Sequence, residues 1–210
     1  MTQTLPLLYA ATLIAALGSA LALGLLLTLN LARPALGLWP APADSAPLRH
    51  HLAFGLFRLF CGATVGFAGL EVAQDIAGGA LGHWLRYAVG LPIMLAAFGV
   101  TLWGYRFLGL DNTYCDREGL VTGGIYAYSR NPQYVTSVLA TVGLGIAAGS
   151  PGTLGLAAVL FVLYFLFVLN EERWLLRGYG RAFVAYMRAT PRFVDTRSLI
   201  RLRRDLSGLS

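Results

Sequence analysis

Two short polar segments carry most of the side chains with which this chain could do chemistry. One of them, NEER at 170–173, holds the adjacent carboxylates Glu171 and Glu172. Negative charge near the C-terminal end of a helix opposes the helix dipole, so such a pair is unfavourable unless an arginine or a cationic ligand faces it. Neighbouring residues on a helix point about 100° apart. We therefore expect one carboxylate to pair with Arg173 or Arg177 and the other to face a ligand.

The other polar segment is GGIYAYSRNPQY, residues 123–134, which combines tyrosines with an arginine and an Asn-Pro pair. Aromatic faces such as those of Tyr126 and Tyr134 attract cations, and Arg130 is suited to pairing with a carboxylate. Asn131 followed by a proline predicts a helix start, with the asparagine as the cap and free amide groups facing outward.

The elements that must position these segments are membrane helices. The chain has 210 residues, of which 57% are hydrophobic and 12% are charged, and its mean hydropathy is +0.64. Soluble domains carry about 25% charged residues, so this composition excludes a soluble globular or disordered chain. At about 20 residues per span, we predict an all-α integral membrane protein with about five transmembrane helices. The apolar runs that predict them are 5–31, 52–73, 84–108, 134–148 and 153–169.

The last two apolar runs are separated only by GSPG at 149–152, which predicts a tight turn and a helical hairpin. At about 1.5 Å per residue, the helices on either side of the turn are roughly 24 Å and 27 Å long. Because these lengths nearly match, the two polar segments should lie at the same membrane depth. A polar mouth above an aromatic and apolar shaft would suit a ligand that is half polar and half lipophilic.

The distribution of arginine predicts the orientation of the helices. All sixteen basic residues are arginine, and positive residues collect on the cytoplasmic side of membrane proteins. The loops after the first and third spans and the segment after Glu172 hold nearly all of them, whereas the opposite side holds Arg86. The pattern predicts an outside N-terminus and a cytoplasmic C-terminus. Arg58, inside the second span, is interpreted as snorkelling or pairing within the bundle, with a substrate role as the alternative.

Other site classes find little support in the sequence. Two cysteines far apart, Cys61 and Cys115, predict no disulfide framework. The three histidines lack acidic or thiol partners at ligand spacing, so we predict no metal site. The net charge of +6 is explained by topology and contact with anionic lipid, so we predict no nucleic-acid partner. The absence of lysine is interpreted as the base composition of a bacterial genome, which favours a bacterial cytoplasmic (inner) membrane.

The stretch EGLVTGGIYAYSRNPQY and the later NEERWLLRGYGRAFVAYMRATPRF resemble a known family. It is the isoprenylcysteine carboxyl methyltransferase and phospholipid N-methyltransferase superfamily of integral membrane methyltransferases. The resemblance covers about residues 117–193 and consists of several short motifs in family order. It implies a methyltransferase that binds S-adenosyl-L-methionine at the cytoplasmic mouth of the hairpin. The acceptor would be a membrane lipid or a lipophilic or small molecule that reaches the site from the bilayer.

The resemblance also implies roles for individual residues. The candidate catalytic residues are Arg130, Tyr134 and Glu172. The cofactor would contact Glu118, Gly119, Leu120, Val121, Gly124, Tyr126, Asn131, Pro132, Gln133, Tyr134 and Glu171. On this basis the chain divides into three regions: the first three spans at 1–110, the cofactor-binding and catalytic region with the hairpin at 111–196, and a basic tail at 197–210. In the tail, arginines alternate with leucines and isoleucine, a pattern suited to a membrane surface.

The sequence leaves the acceptor and two other functions open. The prenylcysteine enzymes have histidine at the position of Asn131, and asparagine cannot act as an acid or base near neutral pH. A phospholipid amine, an isoprenoid carboxylate, a quinone-like phenol and a small thiol all remain candidate acceptors. The alternatives to a methyltransferase are an NADPH-dependent membrane reductase related to sterol reductases and a non-catalytic membrane scaffold. The sequence does not predict an oligomeric state.

Overall fold

The structure is a computed structural model that describes residues 4–33, 38, 48–79, 84–108 and 119–208. Within these ranges the chain forms seven α-helices, one short 3₁₀ turn and no β-strand. The prediction of an all-α fold of the membrane class is therefore confirmed. The elements are α1 (Thr4–Ala32), α2 (Leu48–Ala77), α3 (Trp84–Leu108), the 3₁₀ turn (Gly124–Ala127), α4 (Pro132–Ala148), α5 (Pro151–Tyr179), α6 (Arg181–Ala189) and α7 (Thr196–Ser207).

Four of these helices, α1, α2, α3 and α5, are long and apolar enough to cross a membrane. Helix α4 is also apolar but has 17 residues, which is roughly 26 Å at 1.5 Å per residue. The hydrocarbon core of a bilayer is about 30 Å thick. The predicted count of five spans and the predicted orientation thus stay predictions.

The turn between α4 and α5 has the local structure that its residues favour. Gly149 ends α4 in the left-handed conformation with φ 62°, which a glycine adopts without steric cost. Ser150 then caps α5, because its Oγ accepts a hydrogen bond from the amide of Thr153 at 2.9 Å. Pro151 occupies the first helical position, where it has no amide hydrogen to leave unpaired. The two helices are therefore antiparallel neighbours.

Helix α5 is longer than the sequence predicts, and this corrects one inference about the acidic pair. The helix continues through Glu171 and Glu172 to Tyr179, so both carboxylates precede its end by about two turns. The field of the helix dipole is felt mainly within the last turn. The expectation that these carboxylates conflict with a helix end is wrong, and their environment depends on neighbouring side chains.

The buried core lies between α1, α2 and α5. Its largest members include Leu23 and Leu27 of α1, Phe60 of α2, and Leu163 and Phe167 of α5. Helix α4 packs between α5 and α3, and the aromatic and aliphatic side chains at its start extend the same core. The hairpin is therefore held mainly by α3, which packs on α4, and by α1, which packs on α5, while α2 contacts both hairpin helices.

The backbones of α3 and α4 touch at two glycines. A Cβ atom on Gly143 would lie 2.5 Å from the amide nitrogen of Met94, and one on Gly90 would lie 2.6 Å from the carbonyl oxygen of Gly143. Such distances leave no space for a side chain. Small residues at a helix contact let membrane helices approach closely, and here they fix α4 against α3.

Polar contacts tie the helices together at both ends of the bundle. At the end that holds the acidic pair, Asn30 donates to Asn170 at 2.6 Å and Arg173 donates to the carbonyl of Leu31 at 2.5 Å. At the other end, Arg86 forms an ion pair with Asp75. The expectation that Arg173 neutralises a neighbouring carboxylate is therefore not met, because its guanidinium reaches the end of α1.

The chain after α5 returns toward the 3₁₀ turn. Helix α6 lies against α5, and α7 starts with a capping box between Asp195 and Ser198. Ser198 Oγ also donates to the carbonyl of Tyr128 at 2.6 Å, and the hydroxyl of Tyr128 donates to Asp205 at 2.6 Å. The basic tail is therefore a helix over most of its length, hydrogen-bonded to the segment that follows the 3₁₀ turn.

Candidate cofactor site at the polar end of the hairpin

A hydrogen bond across the hairpin joins the two polar segments. The hydroxyl of Tyr134, near the start of α4, donates to Glu171 Oε2 of α5 at 3.0 Å. The ring of Tyr134 stacks on that of Tyr164, with centroids 4.2 Å apart and planes at 13°. Tyr164 lies two turns before Glu171 on the same face of α5. The matched helix lengths therefore bring the predicted residues of the two segments into contact.

Glu172 lies in a different environment from its neighbour, because two arginines share its carboxylate. Arg192 donates to it from Nε at 3.0 Å and from Nη2 at 2.7 Å, and Arg130 Nη2 donates to it at 2.5 Å. The side chains of Glu172 and Arg130 are 12% and 9% exposed. Bidentate and charge-assisted bonds of this kind are strong and fix geometry. Glu172 is therefore the structural member of the acidic pair, with Arg130 and Arg192 as its partners.

Arg130 joins several segments of the protein through the two Nη atoms of its guanidinium and through its backbone amide. Its Nη1 donates to the carbonyl of Thr190 at 2.7 Å and to that of Met187 at 3.1 Å, while its backbone amide donates to the carbonyl of Pro191 at 2.9 Å. It thereby joins the start of α4 to the end of α6. These bonds favour a positioning role for Arg130, in which it supports Glu172, over a direct bond to a ligand.

Unlike Glu172, Glu171 has no arginine partner in the described part of the chain. Among the described residues, it accepts a hydrogen bond from the neutral Tyr134 hydroxyl at Oε2. A partly buried negative charge without a counter-ion is costly. The position therefore favours a ligand that brings hydrogen-bond donors or positive charge. One carboxylate is paired with arginine, as the sequence predicts, whereas a ligand-facing role for Glu171 stays a prediction.

Tyr126, in the 3₁₀ turn, lies near Glu171 at the edge of the site. The residue is 6% exposed, and its carbonyl accepts a hydrogen bond from the hydroxyl of Tyr186 on α6 at 2.7 Å. Burial raises the pKa of the Tyr126 hydroxyl, and the nearby Glu171 carboxylate and Tyr105 raise it further. Tyr126 is therefore a neutral phenol at physiological pH, close to the carboxylate that faces the site.

The Asn-Pro-Gln segment starts α4, but its side chains act differently from the prediction. Pro132 occupies the first turn as expected, whereas Asn131 makes no side-chain cap. Its Nδ2 instead donates to the carbonyl of Arg192 at 2.9 Å, because the returning chain after α6 runs beside it. Gln133 is buried against Gly104 of α3. The structure thus brings Asn131 to the arginine that binds Glu172 and places Gln133 between α3 and α4.

The remaining predicted cofactor residues precede the 3₁₀ turn. Gly119, with φ 121°, is exposed, while Leu120 and Val121 are half-buried and form no helix or strand. Gly124 begins the 3₁₀ turn with φ 57°. Glu118 lies outside the described residues, as do Cys115 and His83. Among the residues that are described, no group of three or more histidine, cysteine or acidic side chains is arranged to hold a metal.

Sequence reasoning missed Arg192 and Tyr105 as members of the site. Arg192 lies 20 residues after Glu172, and a Pro-Arg pair marks it in the sequence, but only the reversal of the chain after α6 brings it back. Tyr105 comes from α3, whose uniform apolar pattern gives no signal of which face meets the hairpin. Aromatic side chains of α2 also reach the site, since the rings of Phe57 and Tyr164 lie 5.5 Å apart.

One known protein family matches the part of the chain that contains the hairpin. Residues 85–182 match the family model described as phospholipid methyltransferase, a segment that runs from α3 to the beginning of α6 and includes the hairpin. The match confirms the resemblance stated from the sequence motifs and indicates a methyltransferase of the membrane class over this segment. No solved structure matches this chain.

Two curated relatives are similar to this chain. One is the cobalt-zinc-cadmium resistance protein CzcN of Cupriavidus metallidurans, 35% identical over 39% of this chain and 38% of that protein. The other is the nickel-cobalt-cadmium resistance protein NccN of Alcaligenes xylosoxydans xylosoxydans, 29% identical over 80% of this chain and 75% of that protein. The chain thus aligns with well under half the length of the first relative and with three quarters of the second.

Proposed function

We propose that this protein is an S-adenosyl-L-methionine-dependent methyltransferase that works on a lipophilic or small acceptor reaching the site from the membrane. The observation that carries the proposal is the unequal acidic pair. Glu172 is neutralised by two arginines, whereas Glu171 bonds only to the Tyr134 hydroxyl among the described residues. A purely structural segment of α5 would have no use for a second carboxylate that no arginine neutralises among the described residues.

The residues of the site fit this cofactor chemically. S-Adenosylmethionine supplies an electrophilic methyl group on a sulfonium cation, together with hydroxyl and ammonium donors. The Glu171 carboxylate accepts hydrogen bonds from such donors, each worth about 1.5–3 kcal/mol when charge-assisted. The faces of Tyr134 and Tyr126 favour a cation. We propose that these three residues, with the extended segment 119–121, hold the cofactor.

The chain's own contribution to the reaction would be positioning and exclusion of water. Methyl transfer is an in-line displacement, so its rate depends on holding the two reactants in one geometry. Tyr134 is fixed by its bond to Glu171 and by stacking on Tyr164. Below it, Phe57 and Phe167 form an apolar wall with rings 5.6 Å apart. Such a wall suits the lipophilic part of an acceptor and keeps water from the reacting atoms.

The names of the two relatives suggest a physiological role. We propose that methyl transfer by this chain supports tolerance of cobalt, zinc, cadmium or nickel ions, the metals named for those proteins. In a host that carries the gene, a Glu171→Gln allele should then lower metal tolerance as far as deletion does. Equal growth of the variant and the parent on these metals would contradict the proposed role, while leaving the biochemical activity to be judged by binding.

A binding titration tests the activity itself. The full chain in lipid nanodiscs should bind S-adenosylmethionine and should not bind NADPH. Glu171→Gln keeps an acceptor for Tyr134 but loses the charge, so affinity for S-adenosylmethionine should fall about tenfold to a hundredfold, at about 1.4 kcal/mol per decade. Glu71→Gln, on α2, is the matched control and should bind like the parent. Binding of NADPH alone would favour the reductase, and binding of neither would favour the scaffold.

A further inference from the structure

Helix α7 and the segments it covers enclose a pocket that the proposed methyl-transfer site does not use. The pocket has a volume of about 230 Å³. Its walls come from α7, from the end of the 3₁₀ turn and from the turn after α6. The lining residues are Ala127, Ala189, Pro191, Arg197, Ser198, Ile200, Arg201 and Arg204. Three of the eight are arginines, which makes this a strongly cationic cavity.

The three arginines lie on one face of α7. Positions 197, 201 and 204 are four and three residues apart, and residues at these spacings are neighbours on a helix surface. Arg201 donates to the carbonyl of Ala127, and Arg197 pairs with Asp195 at 2.8 Å. The guanidinium of Arg204 forms no ion pair within the described part of the chain. The described residues that line the pocket include three guanidinium groups and no carboxylate, and Asp195 pairs only with Arg197, so the charge of the lining is positive.

The face of α7 opposite the arginine row is apolar and exposed. Leu199, Leu202 and Leu206 are 59%, 44% and 61% exposed. By helical spacing these leucines lie opposite the arginine row and beside the face that Ser198 and Asp205 turn toward the protein. A helix with an arginine flank and a leucine flank is the type that lies in the plane of a membrane interface. Water alone would leave the leucines hydrated at a cost.

We propose that the arginine pocket of α7 binds the phosphate of an anionic membrane lipid, whose acyl chains leave the pocket past Ile200, a lining residue that is 61% exposed, toward the leucine side of the helix. Arginine guanidinium groups match phosphate oxygens in paired hydrogen bonds. The leucine flank favours a lipid over a soluble phosphate, because only a lipid brings apolar chains to the same helix. The location agrees, since α7 is bonded to the segment that leads directly into α4.

The bound lipid would also stabilise one wall of the hairpin site. Helix α7 is held to the carbonyls of Ala127 and Tyr128, which follow Tyr126 directly in the chain. An anion that neutralises the three arginines reduces the repulsion within α7 and so favours its bound position. This inference concerns α7 alone and does not depend on which reaction the hairpin site performs.

The test is lipid retention by the full chain. The purified protein is equilibrated with detergent micelles containing equal phosphatidylglycerol and phosphatidylcholine, and retained lipid is measured by native mass spectrometry. The parent should retain phosphatidylglycerol preferentially. The double variant Arg197→Gln/Arg204→Gln should lose that preference by about tenfold or more, because each arginine near an anionic surface contributes about 1 kcal/mol. The control Arg177→Gln/Arg181→Gln removes the same charge from exposed positions outside the pocket and should behave like the parent.

Further experiments distinguish a lipid phosphate from free phosphate and allow for destabilisation of the double variant. Inorganic phosphate at millimolar concentration should not displace phosphatidylglycerol, and displacement would overturn the lipid assignment. Equal retention of the two lipids by the parent, or unchanged preference in the double variant, would overturn the pocket. Since Arg197 also pairs with the cap of α7, the single variant Arg204→Gln serves if the double variant melts at a lower temperature. This single variant should reduce the preference for phosphatidylglycerol on its own. An unchanged preference would count against the proposal.

Discussion

Removal of the Glu172 carboxylate should destabilise the protein much more than removal of its neighbour. In Glu172→Gln, Arg130 and Arg192 would face each other without the anion that now binds both. Breaking a buried ion pair by removing one partner costs roughly 3–5 kcal/mol. Because the Arg192 side chain is 35% exposed, water screens part of the repulsion, and we expect about 3 kcal/mol, the lower end of that range.

The expected loss can be measured by thermal unfolding in detergent. For chains of 150–250 residues, 1 kcal/mol corresponds to roughly 2–4 °C, so Glu172→Gln should melt about 6–12 °C below the parent. Glu171→Gln, which keeps an acceptor for Tyr134, is the matched comparison and should change the melting temperature by only a few degrees. Early proteolytic cleavage near residues 190–195 should accompany the Glu172 variant, because the turn after α6 loses its anchor.

A double-mutant cycle tests whether Arg130 and Glu172 are energetically coupled. If Arg130 and Glu172 act as a pair, Arg130→Gln/Glu172→Gln should lose less stability than the sum of the two single variants, by about 0.5–3 kcal/mol. Additive losses would mean that the ion pair contributes nothing of its own. A Glu172→Gln protein that melts within about 2 °C of the parent, well under the loss expected for a buried pair, would refute the structural role assigned to this carboxylate.

Three further predictions follow from the fold. Thiol labels at residues 2 and 208 should react from opposite sides of the membrane, as arginine sorting predicts; labelling from one side would make the span count even. Gly143→Leu should separate α3 from α4 and abolish stable folding, measured by thermal unfolding, whereas Gly99→Leu, in open space, should fold normally. Finally, Arg197 holds the pKa of Asp195 below its ordinary 3.8. The cap that Asp195 forms on α7 should therefore persist down to pH 3.8 and be lost only as the pH falls through the lowered pKa. The loss should appear as increased mobility of a label at residue 206, and Asp195→Asn should show no such step.

The sequence was sufficient for the fold class and for the pairing of the two polar segments. Apolar runs of membrane length dictate helices because a backbone in lipid must satisfy its own hydrogen bonds. The turn at 149–152 is followed and preceded by helical stretches of similar length that lead to the two polar segments. This geometry places Tyr134 in contact with Glu171. The motifs around this hairpin also sufficed to state the family resemblance that residues 85–182 bear out.

Tertiary structure alone decided which two arginines neutralise Glu172. Nearby arginines at 173 and 177 were the natural partners by sequence, yet Arg130 and Arg192 bind Glu172 from 42 and 20 residues away. The physical reason is that an ion pair depends on the path of the chain after α6, which local patterns do not encode. The same path turns the side chain of Asn131 away from capping α4, and the packing of α3 decides that Gln133 is buried. Periodicity specifies a helix and its depth, whereas the partner of each polar group is set only when all the helices are packed.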